Sequence, residues 1–92
     1  MSNGTAPSSM EADADRVAEA TFRIYQQLIT GNYYDPNVAQ LASSIGRSPD
    51  PKLALYVASR LIKATAQSLN VSGGAVIWAQ QKLLEKVERY HS

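Results

Sequence analysis

Two Asp-Pro pairs, Asp35-Pro36 and Asp50-Pro51, constrain this chain more than any other feature. An aspartate side chain accepts hydrogen bonds from the free N–H groups at a helix start. Proline fits the first helical position, where its missing donor is not needed. Each pair therefore marks a helix N-terminus. Gly31-Asn32, Gly46 and the run Asn70-Val71-Ser72-Gly73-Gly74 supply the matching stops. Between these marks apolar residues recur at helical spacing, and no alternating strand pattern competes. The chain is thus cut into four helical segments.

The first is expected from about Glu11 to Thr30. Val17, Thr21, Ile24 and Leu28 form one stripe, and Ala18, Phe22, Tyr25 and Ile29 form a second beside it. The acidic residues Glu11, Asp13 and Asp15 suit the positive end of a helix dipole. The second segment, from Asp35-Pro36 to Gly46, has only about three turns and needs tertiary packing to persist. The third, from Asp50-Pro51 to about Leu69, is apolar on most of its circumference. Such a helix is expected at the centre of a bundle or in an oligomer interface. The last runs from about Ala75 to Tyr90, with Val76, Ala79, Leu83, Val87 and Tyr90 as its core stripe and a Glu85–Arg89 pair on its wet side.

The fold class that follows is all-α: a small compact bundle of three main helices plus one short helix. Residues 1–10 read as a flexible tail and 11–91 as a single domain. With 92 residues the core is modest, so a partner or a second copy is a natural supplement. A hydrophobic share of 45% against 18% charged residues places the chain among folded rather than disordered proteins. The formal net charge of +1 is not that of a polycation. There is no cysteine, which excludes disulfides and thiol catalysis. With no apolar run of membrane-spanning length and no signal-peptide pattern, a cytoplasmic location without membrane attachment is expected. The sequons at Asn3 and Asn70 are then chance matches.

No catalytic constellation emerges. His91 is the only histidine, in the last turn, where a solvated residue at a helix C-terminus is expected. Glu11 and Asp15 share a helix face, but a hard cation wants more oxygen ligands than these two. Gly73-Gly74 precedes a helix without the lysine of a phosphate-binding loop, and reads as a hinge. No enzyme activity, metal or cofactor is expected. The aromatic residues are better candidates. Tyr33-Tyr34 lies between the first two helices, with one ring packed across the corner and the other wetter. Tyr56 and Trp78 join them as candidate partner-binding residues, because exposed aromatics often anchor interfaces.

The segment Val38–Ser48 resembles the first helix and turn of a helix-turn-helix domain. Ala42 stands where a small residue lets the second helix cross closely. Gly46 stands at the turn, and Arg47-Ser48 opens the following run. That resemblance implies nucleic-acid binding through Arg47, Lys52, Arg60 and Lys63. Against it, Lys52 occupies the position where the motif has an apolar seal. Pro49, Asp50 and Pro51 fill the part of the recognition helix that normally meets base edges. The alternative reading makes Arg47-Ser48-Pro49 a stiff corner between two capped helices.

The alanine-rich run LALYVASRLIKATAQSL is similar to helices in the bundles of talin- and vinculin-like adaptor proteins. The leading expectation is a non-enzymatic protein–protein interaction module, self-associating through an apolar helical face as a homo-oligomer. A small DNA-binding regulator is the alternative. A carrier of an apolar small molecule is a third class, for which the sequence offers no convergent polar groups.

Overall fold

The computed structural model describes residues 6–45 and 50–92. Four helices account for nearly all of them: α1 Ala6–Thr30, α2 Pro36–Ile45, α3 Pro51–Ser68 and α4 Gly74–His91. No strand occurs among the described residues. The protein is a small all-α bundle, as its periodicity implies. No helix among the described residues is long and apolar enough to cross a membrane.

The helix ends are written in local chemistry. The Asp35 carboxylate accepts from the Asn37 N–H at 2.8 Å, and that of Asp50 accepts from the Leu53 N–H at 2.8 Å. α1 stops at Gly31, which takes φ 70°, and the Asn32 N–H reaches back to the Gln27 carbonyl at 3.1 Å. α3 closes in the same way around Asn70, at φ 63°. There Val71 N–H bonds the Ala66 carbonyl at 2.9 Å and Asn70 N–H bonds that of Gln67 at 3.1 Å. This paired closure is a Schellman motif, with asparagine in the left-handed position usually held by glycine. It turns the chain sharply, and α4 then packs mainly along α1 rather than α3. The stop at Gly46 and the Arg47-Ser48-Pro49 corner lie outside the described residues.

α1 begins earlier than the sequence-based start at Glu11. Residues 6–10, expected as tail, are already helical, and residues 1–5 lie outside the described part. A proline in the first helical turn loses no helical hydrogen bond, so Pro7 does not oppose this start. Met10 then extends the apolar stripe of Ala14, Val17 and Thr21. Its Cε lies 3.4 Å from where a Cβ on Gly74 would sit. The acids consequently sit beyond the first turn and work as ion-pair partners instead. Asp13 pairs with Arg16 at 3.3 Å, while Asp15 and Glu19 face Lys86 at 3.9 and 3.0 Å.

The centre of the bundle is α1, not α3. α1 packs against each of the other three helices. Its Ala14, Val17, Ala18, Thr21, Tyr25 and Leu28 are fully buried. Three contacts fix α1 and α4 side by side and parallel: Met10 at Gly74, Glu19 to Lys86, and Tyr25 to His91. α3 buries Ala54, Val57, Ala58, Ile62 and Ala66 but turns Leu53 and Tyr56 outward. Its apolar circumference is therefore wider than its buried face. Alanines line the seams of all three long helices, and Ala14, Ala18, Ala54, Ala58, Ala75 and Ala79 are each completely buried. Side chains this small let helix axes approach closely.

Candidate interaction surfaces on α3 and α4

Successive residues of a helix are turned by about 100°, so each buried stripe defines an opposite, outward one. On α4 the buried stripe is Ala75, Ala79, Leu83 and Val87. The opposite side carries Ile77, Gln81, Leu84 and Glu88, spaced 4, 3 and 4 apart, and all four are exposed. Ile77 keeps 65% of its surface in solvent and Leu84 49%. On α3 the outward stripe is Lys52, Tyr56, Arg60 and Lys63, also all exposed. Tyr56 is 60% exposed, and the Arg60 guanidinium lies 6.0 Å from its ring centroid. That distance is at the outer limit of a cation–π contact, so the pair shapes the surface more than it stabilises the fold.

The charges of these helices are sorted. α3 contains three cations and no acid between Pro51 and Ser68. None of the three forms an ion pair among the described residues, whose salt bridges all involve α1. On α4, Lys82, Lys86 and Arg89 fall on one flank, and Lys86 reaches the α1 acids Asp15 and Glu19. Glu85 and Glu88 are left on the solvent side. The expected Glu85–Arg89 pair is not among the ion pairs of the described residues; on α4 only Lys86 is engaged, by α1.

The other candidate residues sit apart. Tyr33 is half-buried and packs against the core, while Tyr34 is exposed. The Tyr34 backbone N–H donates to Gln27 Oε1 at 2.9 Å, and the Asn32 side chain donates to its hydroxyl at 2.6 Å. Trp78 lies on the flank of α4 at 39% exposure. The four aromatic candidates therefore occupy three separate elements. Lys52, Arg60 and Lys63 are brought together on α3, and Arg47 lies outside the described residues. Ile77 and Leu84 were missed by a reading that looked for exposed aromatics. Their spacing of seven residues, opposite Ala79 and Leu83, is the sequence signal that exposes them.

α2 does not dock on α3. Among the described residues its Cα atoms approach only those of α1, whereas a helix-turn-helix packs its two helices together. Instead α2 and α3 form the walls of an open groove of about 760 Å³ floored by α1. Ile24, Val38, Leu41, Leu61 and Leu69 give it an apolar lining, and Arg23 and Asp35 lie among its polar residues. Its volume is that of a small-molecule cleft.

His91 is exposed in the last turn, as expected, but it is not without a partner. Its Nε2 hydrogen-bonds the Tyr25 hydroxyl, and its ring stands edge-on to those of Tyr25 and Tyr90. Phe22 completes the cluster, 5.6 Å from Tyr90 and stacked on Tyr25. Burial, with Tyr90 nearby, raises the Tyr25 pKa above its ordinary value. The cluster seals one end of the α1–α4 seam. Among the described residues no three His, Cys, Asp or Glu side chains gather as a metal site would require.

No protein-family model, no curated protein and no solved structure matches this chain significantly.

Proposed function

We propose that the protein is a non-enzymatic protein–protein interaction module whose docking surface is centred on the outward side of α4. One observation carries the reading. Ile77 and Leu84 project from α4 on the side opposite its core, although a domain this small has every reason to bury large aliphatic side chains. Single exposed apolar residues are ordinary on any surface. Two on one stripe, with Trp78 on the flank, form the kind of anchor set that interfaces cover.

The variant Ile77→Glu/Leu84→Glu tests this. Both positions are solvent-facing, so its melting transition is expected to stay close to wild type, within roughly 0.5 kcal/mol per site. After chemical cross-linking in intact cells the wild-type chain is expected to run well above its 10.0 kDa mass, and the double variant to run as the free chain. A wild-type chain that runs at its own mass, or a variant that stays in the assembly, would refute the reading.

The α3 stripe of Lys52, Arg60 and Lys63 supports a second reading, attachment to nucleic-acid phosphates. Phosphate contacts release counterions, so three of them give a slope of log affinity on log salt of about −3. Anisotropy titration of a labelled mixed-sequence duplex at low and near-physiological salt separates the two. The interaction-module reading expects no such salt-steep binding. A slope near −3 that disappears in Lys52→Ala/Arg60→Ala/Lys63→Ala would establish the second reading instead.

A further inference from the structure

Resting on the interaction-module reading, we infer that the partner is a second copy of this chain, with the basic α3 stripe of one copy seated on the apolar and acidic α4 stripe of the other. Charge complementarity selects this occupant. Lys52, Arg60 and Lys63 share one exposed side of α3 with no acid and no ion-pair partner among the described residues. Glu85 and Glu88 stand on the exposed side of α4 and likewise form no ion pair among the described residues. The apolar parts also match. Tyr56, flanked by Leu53, is the most exposed large apolar group of α3, and Ile77 and Leu84 are the two most exposed of α4.

The same sorting excludes the simplest alternative. An α3-to-α3 contact would set three cations against three, and like charges facing across an interface disfavour it strongly. An α4-to-α4 contact would oppose Glu85 and Glu88 in the same way. Only the α3-to-α4 pairing sets opposite charges against each other, three cations facing two acids. Each is carried on an 18-residue helix, roughly 27 Å long at the standard rise. A single helix-on-helix contact of that length falls below a standard-sized interface, so the association is weak and concentration-dependent.

Two charge-reversed proteins and their mixture form the test, read by sedimentation velocity over a concentration series. The first is Lys52→Glu/Arg60→Glu/Lys63→Glu, and the second is Glu85→Lys/Glu88→Lys. Circular dichroism establishes that each is folded. Wild type is expected to associate as concentration rises. Each variant alone is expected to weaken that association at least about tenfold. An equimolar mixture is expected to recover it, because the reversed α3 of one protein now faces the reversed α4 of the other. Added salt weakens the wild-type association without abolishing it, since part of the contact is apolar.

If either variant alone associates as wild type does, or if the mixture fails to recover, the α3-to-α4 pairing is overturned while the module reading stands. A wild type that is monomeric at every concentration overturns the second-copy inference. The mass after cross-linking in intact cells then decides separately whether the module reading survives.

Discussion

Tyr25→Ala is expected to destabilise the domain more than any other single aromatic truncation. Tyr25 is fully buried in the middle of α1, stacked on Phe22, edge-on to Tyr90, and hydrogen-bonded through its hydroxyl to His91. Removing a buried ring costs about 3–5 kcal/mol. A domain of this size has roughly 5–14 kcal/mol in total, so the melting temperature should fall by more than about 12 °C. Tyr25→Phe separates the ring from the hydroxyl. It keeps the stacking and leaves only the exposed His91 without its partner, at a cost of about 0.5–1.5 kcal/mol.

The same pair of variants carries a pH signature. The folded Tyr25 has a raised pKa, so the fold favours its neutral form. That contribution is fully present below the unfolded value of 10.0 and is lost as pH climbs from there through the folded value. Denaturation curves measured across that alkaline window should show wild type losing stability more steeply than Tyr25→Phe. Parallel curves would mean that the hydroxyl is solvated in the fold.

The second large effect is a contrast between neighbours. Leu83 is 1% exposed at the α1–α4 seam, whereas Leu84 points to solvent. Leu83→Ala opens a cavity at that seam, at a cost of about 2–5 kcal/mol. Leu84→Ala removes no buried contact of comparable extent, and its cost should lie near 0.5 kcal/mol. Urea denaturation of both variants checks the orientation of α4 directly. Equal losses, or a larger loss at Leu84, would contradict the packing that leaves the Ile77–Leu84 side free.

Some of this was legible in the residues and some was not. The Asp-Pro starts and the breaks after Thr30 and Ser68 are local chemistry: a carboxylate beside free N–H groups, a left-handed residue closing a helix. Such signals act within five residues, so α2, α3 and α4 start within a residue of where sequence places them. The early start of α1 was hidden because proline and serine near a terminus read as loop until a partner helix gives Met10 something to cover. The central role of α1 was hidden for another reason. Periodicity measures how wide an apolar face is, not how many neighbours meet it. α3 has the widest face, yet Tyr56 and Leu53 occupy solvent, while the longer α1 meets every other helix.

The surfaces follow the same division. Lys52, Arg60 and Lys63 were recognisable as a basic set, and the structure places them on one stripe. Their isolation from acids depends on where α1 sends Asp15 and Glu19, which lie 67 and more positions away from Lys86 in the chain. The His91–Tyr25 contact spans 66 positions and has no local signature at all. Ile77 and Leu84 did have one, in their spacing against the core stripe of the same helix.

The most direct measurement places a photo-reactive amino acid at position 84 of the full chain in its native cell, with position 12, exposed on α1, as the control. Illumination is expected to yield a discrete protein adduct from position 84 and none from position 12. No adduct from position 84, or the same adducts from both, would contradict the claim that the outer side of α4 is a docking surface.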